Sequence, residues 1–181
     1  MTDHADRARR FLELHRAPAP LLLLLLPNPW DVGSARLLAW AGFDALATTS
    51  SGMAAAAGEL DGNVTREHAH AHAHAHAHAH AREIAAATPL PVNGDLENGF
   101  GDGPADVAVT VGLALDAGLA GCSIEDWSGS ALYDVPLARE RIVAAAHGGS
   151  AHLVLTARAE NHIRGTPTSP TPWPYQPLTA T

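Results

Sequence analysis

Leu90-Pro91-Val92-Asn93-Gly94-Asp95-Leu96-Glu97-Asn98-Gly99-Phe100-Gly101 is a short apolar run that ends in two carboxylates at alternate positions, followed by a glycine-bearing turn. Side chains two apart on a strand point to one side. Asp95 and Glu97 therefore converge on one point if extended geometry persists through Glu97. A second apolar run, Ala120-Gly121-Cys122-Ser123-Ile124, also ends in acids, Glu125-Asp126. Two neighbouring strands that both end in carboxylates make a pocket for a hard divalent cation, which prefers oxygen ligands.

The same rhythm extends in both directions. Strands are expected over 21–26, 44–48, 90–95, 121–125 and 152–156. Helices are expected over 3–15, 32–41, 65–87, 104–117 and 135–147. Gly42 and Gly118 stand where a helix C-terminus favours glycine, and Thr65 stands as an N-cap. Strict strand–helix alternation with short links implies parallel strands and α/β architecture. The residues with chemistry in them follow strands: Thr49, Ser50, Asp95, Glu97, Glu125 and Arg158. A β/α barrel and a doubly wound sheet both place their sites at that end, so alternation alone does not separate them.

Composition narrows the function. The chain has 181 residues and a formal net charge of −8, which argues against nucleic acid or an anionic membrane as partner. One cysteine, Cys122, rules out an intrachain disulfide and fits a reducing cytoplasm. The charged start, residues 1–10, is no signal peptide, and the leucine run at 21–26 is too short to span a bilayer.

Thr49-Ser50-Ser51-Gly52 reads as a small-residue loop whose N–H groups can form an oxyanion nest, although an ordinary polar turn is the commoner outcome for such a sequence. Asp61 is placed to join the outer shell of a metal, or to be a plain turn aspartate. Arg158 can grip a carboxylate or phosphonate in bidentate fashion, or form a salt bridge with Glu160. Mg²⁺ is the expected ion, with Mn²⁺ as the substitute.

Two stretches depart from this pattern. Residues 68–81 are seven consecutive His-Ala pairs. Alanine is a poor strand former and an excellent helix former, so the tract reads as part of one long outer helix. Its histidines can bind Zn²⁺ or Ni²⁺ through i, i+4 pairs, a property that follows from composition alone. Residues 165–181 hold five prolines, five threonines and no charged residue, and read as a disordered tail. The abrupt change at Gly165 suggests an out-of-frame translation or gene-model error, which reading the other two frames tests.

The motifs Pro27-Asn28-Pro29-Trp30-Asp31, Ala41-Gly42-Phe43-Asp44-Ala45, Gly94-Asp95-Leu96-Glu97-Asn98-Gly99-Phe100-Gly101, Gly121-Cys122-Ser123-Ile124-Glu125-Asp126 and Thr156-Ala157-Arg158 occur in an order that resembles the isocitrate lyase/phosphoenolpyruvate mutase superfamily. The chain looks most like its smaller bacterial members of the carboxyvinyl-carboxyphosphonate phosphorylmutase or methylisocitrate-lyase type. The resemblance implies a TIM-type β/α barrel, of which residues 1–164 supply about five of the eight β/α units. It places Asp95 on the principal metal-contacting aspartate, with Glu97, Glu125 and Asp61 on the acids that hold the metal's waters. Thr49, Ser50 and Ser51 fall on the substrate-binding loop, and Arg158 on the substrate-gripping arginine. Arg158 and Glu125 are then the candidate catalytic groups.

The implied chemistry makes or breaks a C–C or P–C bond next to a pyruvate-like enolate of a small 2-oxo, 2-hydroxy or phosphonate acid. The superfamily implies a homo-oligomer, assembled through elements this chain lacks. True isocitrate and methylisocitrate lyases carry a Lys-Lys-Cys-Gly-His loop after the fourth strand. Here Trp127-Ser128-Gly129-Ser130-Ala131-Leu132-Tyr133 stands there, which disfavours a cysteine acid. A five-unit piece leaves an open sheet edge, so impaired activity is expected. The alternative reading is a non-catalytic fragment with a histidine-rich metal-binding or partner-binding role.

Overall fold

The computed structural model describes residues 4–16, 24–58, 70–149 and 152–165. Its elements are α1 (His4–Arg16), α2 (Val32–Trp40), β1 (Leu46–Ala47), α3 (Ser50–Ala56), α4 (His70–Ala87), β2 (Val92–Asp95), α5 (Pro104–Asp116), β3 (Gly121–Glu125), α6 (Val135–Gly149) and β4 (Val154–Arg158). Asp61, the Thr65 cap and residues 166–181 of the expected tail lie outside the described residues.

The strands form one parallel sheet in the order β1-β2-β3-β4. Leu46 pairs with Val92, Gly94 with Cys122, and Cys122 with Leu155. A doubly wound sheet reverses its strand order at a switch point, and the described strands do not. Sequential order is that of a barrel wall, so topology supplies the distinction that alternation left open. Of the expected first strand, residues 24–26 join no ladder. The chain just after them flanks β1: Ala47 N donates to Pro27 O at 3.1 Å, and Asn28 Nδ2 donates to Ala47 O at 2.9 Å. Pro27 and Pro29 have no N–H to give, which limits any ladder there.

The core lies between the sheet and its helices. Leu46, Val92, Cys122 and Ile124 from the strands meet Ile84 and Ala85 of α4 and Val107 and Val111 of α5, all buried. Along α4 the His-Ala tract contributes Ala77 and Ala81 to this packing, and His78 is buried as well. Beneath the sheet, Phe11 of α1 packs on Ala45, Ala120 and Val154 at the strands' amino-terminal ends. A Cβ on Gly121 would stand 2.6 Å from the Phe11 ring, so the glycine is what lets α1 close that end. The carboxyl-terminal ends, which carry the acids, are left for the site.

Candidate active site

Asp95 closes β2, Glu125 closes β3 and Arg158 closes β4. In a parallel sheet these three ends lie side by side, and Glu125 and Arg158 are register partners. Arg158 joins them. Its Nη1 donates to Asp95 Oδ1 at 2.8 Å, and its Nη2 donates to Glu125 Oε2. Glu160 completes the set, accepting from Arg158 Nε at 3.2 Å and Nη2 at 3.0 Å. The side chains of Asp95, Glu125 and Glu160 are 15%, 10% and 4% exposed, against 36% for Arg158.

Burial pushes the Glu125 carboxyl up to about 7, the Arg158 guanidinium pulls it partly back, and Glu160 and Asp95 raise it again. Burial alone would lower Arg158, but Asp95, Glu160 and Glu125 outweigh it and hold the guanidinium above its ordinary value. Glu160 is itself fixed: its N–H donates to Asp126 Oδ1 at 2.8 Å, and Arg164 Nη2 stands 3.7 Å from Glu160 Oε2.

Asp95 is held from the other side by β1 and α3. Its N–H donates to Thr48 Oγ1 at 2.9 Å, and its Oδ2 accepts from Ser50 N at 3.2 Å and Ser50 Oγ at 3.3 Å. The segment expected as a loop at Thr49-Ser50-Ser51-Gly52 is instead the start of helix α3, with Thr49 as its N-cap accepting from Gly52 N. The alanine-rich run after Met53 favours that helix. Ser50 therefore spends its N–H and hydroxyl on Asp95, while Ser51 is exposed and its hydroxyl lies 3.0 Å from that of Thr49.

The alternation argument fails at Glu97. β2 ends at Asp95, and Glu97 has φ 48°, left-handed backbone rather than strand. Glu97 meets the other acids through its main chain: its N–H donates to Asp95 Oδ1 at 3.4 Å and its carbonyl accepts from Glu125 N at 2.8 Å. Among the described residues no three His, Cys, Asp or Glu side chains are grouped to hold a metal ion. Asp95 and Glu125 come together on Arg158 instead. Mg²⁺ needs only one or two carboxylates, because it keeps several waters. The all-oxygen set of Asp95 and Glu125, with the Thr48 and Ser50 hydroxyls bonded at Asp95, fits such a cation by its chemistry.

The segment 127–133 forms a tight hairpin, with Ser128 N donating to Ala131 O at 2.9 Å and Tyr133 N to Asp126 O at 2.9 Å. Arg164 stacks on the Trp127 ring at 4.5 Å. Sequence reasoning missed Arg141, which lies on α6 and is 1% exposed. The spacing of Arg141, Ala145 and Gly149, all buried, marks one helix face, and an arginine on that face was the available signal. Among the described residues no helix is long and apolar enough to cross a membrane.

The model of the family described as phosphoenolpyruvate phosphomutase matches residues 11–175. The chain is 36% identical over 136 residues to uncharacterized proteins of Mycobacterium tuberculosis, MT2054 of strain CDC 1551 / Oshkosh and Rv1998c of strain ATCC 25618 / H37Rv, covering 74% of this chain and 46% of each relative. It thus spans about half the length of the curated relatives it matches. A provisionally assigned lyase/mutase from Burkholderia cenocepacia J2315 superposes with a TM-score of 0.80 at 43% identity, over 90% of this chain and 56% of that one. The 2,3-dimethylmalate lyase of the PEP mutase/isocitrate lyase superfamily superposes with a TM-score of 0.74 at 31% identity, over 92% and 56%. Phosphonopyruvate hydrolase, solved with oxalate and Mg²⁺, shares the fold at 20% identity with a TM-score of 0.77, over 89% and 55%. The parallel order of the strands, the acids at their ends and the extent of these matches agree: the chain belongs to the phosphoenolpyruvate phosphomutase family, within the PEP mutase/isocitrate lyase superfamily.

Proposed function

We propose that this chain carries the metal-binding and acid-binding side of an enzyme that makes or breaks a C–C or P–C bond next to a pyruvate-like enolate, acting on a small 2-oxo, 2-hydroxy or phosphonate acid. The observation that carries the proposal is the placement of Asp95, Glu125 and Arg158 at three adjacent parallel strand ends, joined by ion pairs. Asp95 and Glu125 would hold Mg²⁺, with Mn²⁺ as substitute, and Glu97 and Asp61 belong to the proposed outer shell. Bound there, the cation supplies Lewis-acid stabilisation of the negative charge that develops on the substrate oxygens.

Arg158 presents a planar fork that suits a carboxylate or phosphonate. To bind one it exchanges a protein carboxylate for the substrate's, so acid binding and release of Asp95 or Glu125 go together. Glu125, beside Arg158 at the end of β3, would act in the reaction by holding the cation and its waters. Thr49, Ser50 and Ser51 line the proposed substrate end beside Asp95. The 127–133 hairpin offers no cysteine or histidine, so no cysteine acid enters the scheme. The enzyme is proposed to be cytoplasmic.

Calorimetric titration with oxalate, a planar mimic of an enolate, tests the proposal. Binding is expected with Mg²⁺ and not without it, and Asp95→Asn abolishes it. Oxalate binding that ignores Mg²⁺, or that survives Asp95→Asn, refutes the assignment. Pyruvate or oxalate release from phosphonopyruvate, oxaloacetate or alkylated malates then distinguishes the reaction.

A further inference from the structure

The loop between β2 and α5 is strained at two places. Glu97 and Phe100 both hold left-handed backbone, φ 48° and 56°, with Gly99 at 82° between them. A bulky residue such as Phe rarely adopts that conformation, and it persists only where surrounding contacts over-determine it. Most of the hydrogen bonds that hold it come from the next β/α unit. Arg141 of α6 donates from Nη1 to Gly101 O at 2.7 Å and to Asp102 O, and from Nη2 to Asn98 O. Its guanidinium lies 4.1 Å over the Tyr133 ring. Tyr133 Oη donates to Asp102 Oδ1 at 2.6 Å and accepts from Asn98 Nδ2 at 3.0 Å. Thr110 Oγ1 adds a bond to Gly99 O at 2.7 Å.

A buried guanidinium normally sits opposite a carboxylate. Here Asp102 and Asp106 lie near enough to act on the charge, but all three hydrogen bonds of the guanidinium go to the carbonyls of one short loop. That loop is bonded at its start to both site acids, through Glu97 N to Asp95 and Glu125 N to Glu97 O. We propose that Arg141, backed by Tyr133, is a positioning residue that clamps the strained 97–102 loop and so fixes Asp95 and Glu125 relative to each other. The requirement is for a flat fork that reaches several carbonyls while stacking on an aromatic face, which lysine does not supply. This rests on the reading of Asp95 and Glu125 as the metal-holding pair.

The test uses Arg141→Lys and the milder Tyr133→Phe, which keeps the ring and removes both Oη bonds. Backbone hydrogen exchange is followed in residues 95–103 and at the Glu125 amide, and Mn²⁺ affinity is read from its spin-resonance signal. Exchange is expected to rise at least about tenfold in that loop and at Glu125 while β1 and α4 are unchanged, and Mn²⁺ affinity is expected to fall about 10–100-fold, as for other residues that orient metal ligands. Exchange that is unchanged in the loop, or that rises evenly over the molecule, overturns the clamp. So does unaltered Mn²⁺ affinity in a variant whose wild type binds the ion. A wild type that binds no Mn²⁺ overturns the metal reading instead, and the exchange pattern still decides the clamp.

Discussion

Arg158→Gln isolates the charge that ties the strand ends together. The substitution leaves Asp95, Glu125 and Glu160 facing one another without their shared cation. Breaking a fully buried pair costs about 3–5 kcal/mol, and an exposed one about 0–1 kcal/mol. The acids are mostly buried but the Arg158 side chain is 36% exposed, so solvent screening puts the loss near 2 kcal/mol at about pH 8. For a domain of this size that is a drop in melting temperature of roughly 4–8 °C.

The loss must depend on pH. Burial holds the Glu125 carboxyl at about 7 in the folded chain, against 4.5 for a free glutamate side chain. The folded state therefore binds more protons than the unfolded state across that window, and stability falls as pH rises through it. Removing Arg158 takes away the attraction that lowers the Glu125 value, so the window extends further upward. At about pH 5 Glu125 is protonated in the folded state and needs no cation, so the cost should be smaller than at about pH 8. Urea unfolding of both proteins at the two pH values measures this. An equal loss at both, or a larger loss at the lower pH, refutes the account of Arg158 as counter-ion to Glu125.

Cys122 is buried in β3 and desolvation pushes its thiol up to about 12, so a thiol reagent at mildly alkaline pH should label it only as fast as the protein unfolds, which added urea will reveal. A Cβ at Gly148 would stand 2.4 Å from Ala108 O. Gly148→Ala should therefore force α5 and α6 apart at about 1–3 kcal/mol, against a helix-propensity gain of about 1 kcal/mol, with a lowered melting temperature as the readout. Thr110→Val keeps the buried shape but removes the donor to Gly99 O, and should lower stability by about 1–2 kcal/mol in urea unfolding.

Much of the positioning was legible in the sequence because it follows from strand ends. Asp95, Glu125 and Arg158 each terminate an apolar run, and a parallel sheet aligns such termini. Extended geometry does not persist through Glu97, because period two holds only while the strand lasts and the chain turns left-handed at Glu97 itself. At Thr49 the polar quartet masked an N-cap, although the alanines that follow are helix formers. Arg141 was invisible to a search for acids and metal ligands, since its partners are main-chain carbonyls that no side-chain pattern encodes. The barrel order of the strands had no local signature at all, being a property of pairing.

The packing of α4 is insensitive to how many His-Ala pairs the tract holds. Each residue turns a helix by about 100°, so one added pair rotates everything beyond it by about 200°. Ala77, Ala81, Ile84 and Ala85 are seated against the core. But every pair of the tract is the same, so a pair gained or lost anywhere in 68–81 gives one and the same sequence, in which the residues one and five places before Arg82 are still alanines. Slippage in the coding repeat therefore lengthens or shortens α4 at its amino-terminal end and leaves the alanines seated on the core in place.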